Sequence, residues 1–153
     1  MINAKYPNRV KSTRFFGGVA PTEDDDAFDK HLAEATRAQK KLEWATMICI
    51  RSTAKILLNA LSMFGGPEAD YLTKRFQETL ETGGHVATLG VAANVFLSDT
   101  RKSVDLGGDS PEANLINAVR CLQDAIDDLG AARYVDAHAN SVRCRSSLQK
   151  ILG

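Results

Sequence analysis

Hydrophobic positions along the chain recur at helical spacing in four stretches, and no stretch alternates as a half-buried strand would. From Ala27 onward, Phe28, Leu32, Ala35, Leu42, Ala45, Cys49, Ile56, Ala60 and Met63 follow one another at steps of three and four or their sums, which is one face of a helix. Nothing interrupts the pattern before Gly65-Gly66-Pro67, so a first helix is predicted over about residues 23–64. Thr22 marks its start, followed by Glu23, Asp24, Asp25 and Asp26. The hydroxyl caps free backbone N–H groups and the carboxylates sit at the positive end of the helix dipole. Residues 30–43 carry charge on the outer face, whereas residues 44–64 are apolar nearly all round and must be covered on more than one side.

Pro67 suits a first helical position, and Tyr71, Leu72, Phe76 and Leu80 form a short stripe that stops at Gly83-Gly84. The next segment, His85 to about Val104, is small and apolar on most sides, as a buried central element should be. Ser110, Pro111 and Glu112 then supply a cap, a first-turn proline and a first-turn acid, the strongest boundary in the chain. After them Leu115, Val119, Leu122, Ile126 and Leu129 make one stripe that Val135, His138, Val142, Leu148 and Leu152 continue. One last helix is predicted over about 111–151, with Gly130 as the place where it can break or bend.

These elements predict an all-α fold: an antiparallel helical bundle with two long helices, about 23–64 and 111–151, and two shorter middle helices joined end to end as a layer between them. Residues 1–22 form an extended N-terminal arm, and 23–153 a single helical-bundle domain. The arm has no helical periodicity; it holds Pro7 and Pro21 and carries Lys5, Arg9, Lys11 and Arg14 with no acid.

Composition adds bounds. The 153 residues are 44% hydrophobic and 25% charged, as in ordinary soluble domains, and nineteen basic residues balance nineteen acidic ones. A neutral chain lacks the positive field of a sequence-independent nucleic-acid binder, so nucleic-acid contact is left to the basic arm alone. The apolar run Ala45–Phe64 has the length of a membrane span but holds Arg51 and Lys55, each costing about 3 kcal/mol at a bilayer centre. Burial against protein accounts for it better. No secretory signal is read in the first thirty residues, which points to the cytoplasm or a particle assembled there. Three cysteines without a C-x-x-C spacing read as reduced thiols, with one inter-subunit disulfide as the alternative.

The residues offer little catalytic chemistry. His31, His85 and His138 are isolated and make no Glu-x-x-His ligand pair, and no nucleophile elbow, P-loop or dinucleotide fingerprint is present. Cys144, between Arg143 and Arg145, is the one thiol whose neighbours would favour the thiolate. The acids Glu23–Asp26 and the group Asp124, Asp127 and Asp128 read as solvated faces. Neither a metal nor a cofactor is expected. Arg51 and Lys55, one turn apart, either extend their stems along the core edge or pair with acids such as Asp124–Asp128.

The function expected is therefore that of a non-enzymatic assembly subunit, a homo-oligomer of the virion, phage-particle or secretion-apparatus type, with another assembly protein as a further partner. Its contacts are placed on the arm, at Tyr6, Arg14, Phe15 and Phe16, and on the apolar half of the first helix, at Ile48, Arg51, Lys55, Leu58 and Leu61. The alternatives are a chaperone or adaptor that presents a helical groove to a foreign partner, and a small cofactor-binding bundle enzyme or sensor.

Overall fold

Local start signals explain where the helices begin. In the structure, a computed structural model that describes residues 23–100 and 108–153, five helices form and no strand is present among the described residues. They are α1 (Glu23–Leu61), α2 (Pro67–Thr82), α3 (Val86–Thr100), α4 (Pro111–Gly130) and α5 (Tyr134–Leu152). The chain is an all-α helical bundle. Pro67 and Pro111 open their helices as expected, and the Ser110 hydroxyl accepts the Ala113 N–H at 3.1 Å. His85 caps α3, its Nδ1 accepting the Ala87 N–H at 3.0 Å. The arm and Thr22 lie outside the described residues.

Three boundaries depart from the sequence pattern. Helix α1 ends at Leu61, where the N–H groups of Met63 and Phe64 bond back to Ala60 and Leu61 as a tight three-residue turn. The two middle helices do not join end to end: α3 folds back and packs along α2. Gly83 takes a left-handed conformation, φ 70°, and the Gly84 N–H reaches the Thr79 carbonyl at 2.9 Å, a helix stop that leaves a short connection. The last helix is two helices, not one. It runs through Gly130, and the turn falls on Ala131, Ala132 and Arg133, with Ala132 at φ 59°. An alanine in that region costs about 1 kcal/mol, which the contacts described below offset.

The chain divides after Gln39 into two compact units, at a point inside α1. In the first unit, residues 24–39 are helical and exposed throughout. The second unit, residues 40–153, carries the core. Ile50, Leu57 and Leu61 of α1 bury with Leu72 and Phe76 of α2, Val86, Leu89 and Leu97 of α3, Ile116, Val119 and Leu122 of α4, and Leu148 of α5. Each such side chain contributes about 1.5–3 kcal/mol on leaving water. Helix α3 packs against both α2 and α4, and α4 lies along α5. Only one face of α3 is buried; Val91 and Val95 look outward, which corrects the reading of a helix covered on most sides. Gly90 lets α3 approach α4, since a Cβ there would stand 3.1 Å from Ile126 Cγ2.

Helices α1 and α5 meet through polar contacts centred on Thr46 and Thr53, seven residues apart. Thr46 Oγ1 donates to the Leu42 carbonyl at 2.7 Å and lies 3.2 Å from His138 Nε2, which is therefore the donor in that pair. Thr53 Oγ1 donates to the Cys49 carbonyl at 2.8 Å and accepts from Arg145 Nε at 3.0 Å, while Arg145 Nη2 lies 3.2 Å from Cys49 Sγ. Both threonines are fully buried, and Thr46 and Thr53 meet His138 and Arg145 in the same chain order. The two helices thus run in one direction along this seam, and a slip by a turn would leave buried hydroxyls without their partners.

Candidate interaction surface

The residues chosen from sequence separate into three groups. Tyr6, Arg14, Phe15 and Phe16 lie outside the described residues. Leu61 is buried and Leu58 half-buried against the core, so the chain itself covers these two residues, which corrects the expectation that other copies cover them. Ile48 and Lys55 are exposed, and Arg51 is half-buried.

Arg51 has a partner other than the acids expected for it. Its Nη2 donates to the carbonyl of Gly84, just beyond the C-terminus of α2. The negative end of the α2 dipole lies close by, and a cation is favoured there. Asp128 is not on a solvated face either. It is buried near the end of α4, where Arg133 donates to its Oδ1 from Nε at 3.1 Å and Nη2 at 3.0 Å, and Asn140 of α5 donates to Oδ2 at 2.8 Å. The Arg133 N–H also reaches the Asp128 carbonyl at 2.8 Å. One carboxylate therefore holds the turn and the start of α5, which the sequence could not reveal because its donors lie 5 and 12 residues on. Asp124, on the exposed side, has its carboxyl pushed up from the usual value by partial burial and by the neighbouring Asp127.

Cys144 does not behave as its flanking arginines suggest. Its side chain points into the core, and burial, with Cys121 second, pushes its thiol up to about 12 in spite of Arg145. Arg145 turns to α1 instead. A thiol that loses its proton less readily folded than unfolded contributes stability that is complete below its ordinary value, 9.0, and is lost as pH rises toward about 12. Iodoacetamide at pH 8 is expected to modify Cys144 only after denaturant is added, read by peptide mass mapping. Native-state alkylation at the pace of half-buried Cys121 would refute this placement.

What the sequence reading passed over is the first half of α1. Residues 24–45 are exposed without exception, and they include Phe28 and Trp44, each 65% exposed, with Leu32 at 57% and Leu42 at 53%. Phe28, Leu32, Ala35, Gln39 and Leu42 continue, at the same alternation of four and three residues, the series Thr46, Cys49, Thr53, Ile56 and Ala60 that α1 turns toward its bundle. In sequence the two stretches cannot be told apart, because a stripe awaiting a partner has the period of a stripe already covered.

A second apolar feature lies in the 40–153 unit. Leu42, Ala132, Tyr134, Val135 and His138, rimmed by Arg133 and Asp136, line an open groove of about 340 Å³. Among the described residues, no three metal-ligating side chains come together, and no helix is long and apolar enough to cross a membrane. No family model, curated protein or solved structure matches the chain.

Proposed function

We propose that the protein is a non-enzymatic assembly subunit, a helical bundle that joins copies of itself through the first half of α1, with the basic, aromatic N-terminal arm as an additional contact. The observation that carries this reading is the exposure of Phe28, Leu32 and Leu42 along one face of a helix that has no covering element there among the described residues. A helix of this length gains most of its stability from packing an amphipathic face, and an isolated one of about 12–15 residues is marginal in water. Large apolar side chains grouped on a surface mark a protein interface more often than scattered ones do. An assembly of the virion, phage-particle or secretion-apparatus kind is the setting this suits. The groove beside Leu42, Tyr134 and Val135 favours a second reading, in which a helix of a foreign partner is received there, as an adaptor or chaperone would do.

Light scattering on the purified full chain over a range of concentrations tests the first reading. The full chain is expected to exceed the mass of a single copy, and Phe28→Glu with Leu32→Glu to bring it down to one. A chain lacking residues 1–20 separates the arm's part from that of the helix. A single-copy mass for the full chain at every concentration would refute self-assembly and leave the groove as the surface to pursue.

A further inference from the structure

Building on the self-assembly reading, we infer that a second contact joins the copies: α5 pairs in antiparallel sense with α5 of another copy, Asp136 of each meeting Arg143 of the other. The outward face of α5 is the starting point. Val135, Ala139, Val142 and Ser146 follow one another at steps of four, three and four, and all are exposed, Val135 at 84% and Val142 at 58%. Those steps make one stripe with the period by which two helices pack side by side. It lies apart from the side on which His138 and Arg145 turn to Thr46 and Thr53 of α1, and from the side that buries Cys144 and Leu148. Large and small residues alternate along it. An antiparallel pair sets Val142 against Ala139 of the other copy and Val135 against its Ser146, so each valine is met by a small side chain.

Charge beside the stripe points to its occupant. Asp136 follows Val135 and Arg143 follows Val142, so an acid and a base stand one heptad apart on the same flank. Antiparallel packing lays equal flanks together, and the register just given leaves Asp136 about 3 Å along the axis from Arg143 of the other copy. The twofold makes this pairing reciprocal. A flank that carries both signs at this spacing is complementary to itself, which favours a second copy over a foreign helix. Parallel packing joins opposite flanks and would bring Arg143 beside His138 of the other copy, a residue that Thr46 already holds. Both charged groups are accessible. Asp136 stands 4.0 Å from Arg133 Nε with both side chains more than half exposed, and Arg143 donates from Nη1 to Asn140 at 2.8 Å, which leaves the rest of its fork to spare.

Four valines bury far less than the about 1,200 Å² of a stable interface, so this contact forms where the α1 contact has already brought copies together. A self-complementary surface by itself ends at a pair, and a second one lets pairs join into a larger assembly.

Charge reversal in the full chain, read by light scattering over a range of concentrations, tests the contact. The wild type is expected to grow past two copies. Asp136→Arg and Arg143→Asp should each raise the concentration needed for that growth about tenfold, since each turns two attractive pairs into two repulsive ones. Mixed in equal amounts, the two variants are expected to recover wild-type growth, because every reversed charge then faces its opposite on the other copy. A role confined to one chain would not respond to mixing. Circular dichroism of each variant should match the wild type, because both positions are exposed. A single-copy wild type would remove the assembly reading and this inference with it. A wild type that stops at two copies, growth indifferent to both reversals, or a mixture no better than either variant alone would overturn this inference and leave assembly through α1 standing.

Discussion

Leu61→Ala is expected to lower the free energy of unfolding by about 2–5 kcal/mol and to leave the association state unchanged. Leu61 is fully enclosed by the chain's own core, at the point where α1 ends and turns toward α2. Removing its side chain loses the transfer energy of the buried carbons and opens a cavity that the neighbouring α1 and α2 side chains cannot fill without moving their helices. The same substitution at an intermolecular surface would do the opposite, with little effect on the single chain and a marked fall in mass. Urea unfolding followed by circular dichroism, beside light scattering under native conditions, distinguishes the two. A variant of unchanged midpoint and reduced mass would return Leu61 to the interface and make the apolar half of α1 an exposed contact.

That contrast shows where sequence pattern carries information and where it does not. The period of Leu57, Leu61 and their neighbours shows that a face is to be covered, and the uninterrupted apolar run shows that the cover must be wide. Whether the cover comes from the same chain is a matter of topology, which the period does not encode. Helix starts at Pro67 and Pro111 were legible because proline and a serine cap act locally. The break after Gly130 was legible as a weak point at that glycine, but the form of the turn at Ala131–Arg133 was not, since alanine carries no turn chemistry. Its place is fixed by donors from Arg133 and Asn140 that converge on Asp128 only in the folded chain. The exposed stripe of Phe28 and Leu32 was legible as a stripe and illegible as a surface, for the same reason that hid the cover of Leu61.

Asp128→Ala is expected to destabilise the fold by about 2 kcal/mol, less than the 3–5 kcal/mol typical of a fully buried ion pair that loses one member. The carboxylate is buried, but Arg133 is 55% exposed and can turn to water once its acceptor is gone, so the guanidinium is not stranded. The larger part of the loss comes from Asn140, whose Nδ2 gives up the 2.8 Å bond that joins α5 to α4, and from the turn itself. Ala132 sits at φ 59°, a conformation that alanine holds only where its surroundings impose it. With the clamp removed that constraint weakens, and α5 has less to fix its start beside α4. Asp128→Asn should cost less, because it keeps an acceptor for Arg133 while losing the charge. Denaturant midpoints of the two variants are expected in the order wild type, then Asn, then Ala. An alanine variant with the wild-type midpoint would mean that the turn is held by the α4–α5 packing alone, and that the Asp128 carboxylate merely occupies a position the helices have already set.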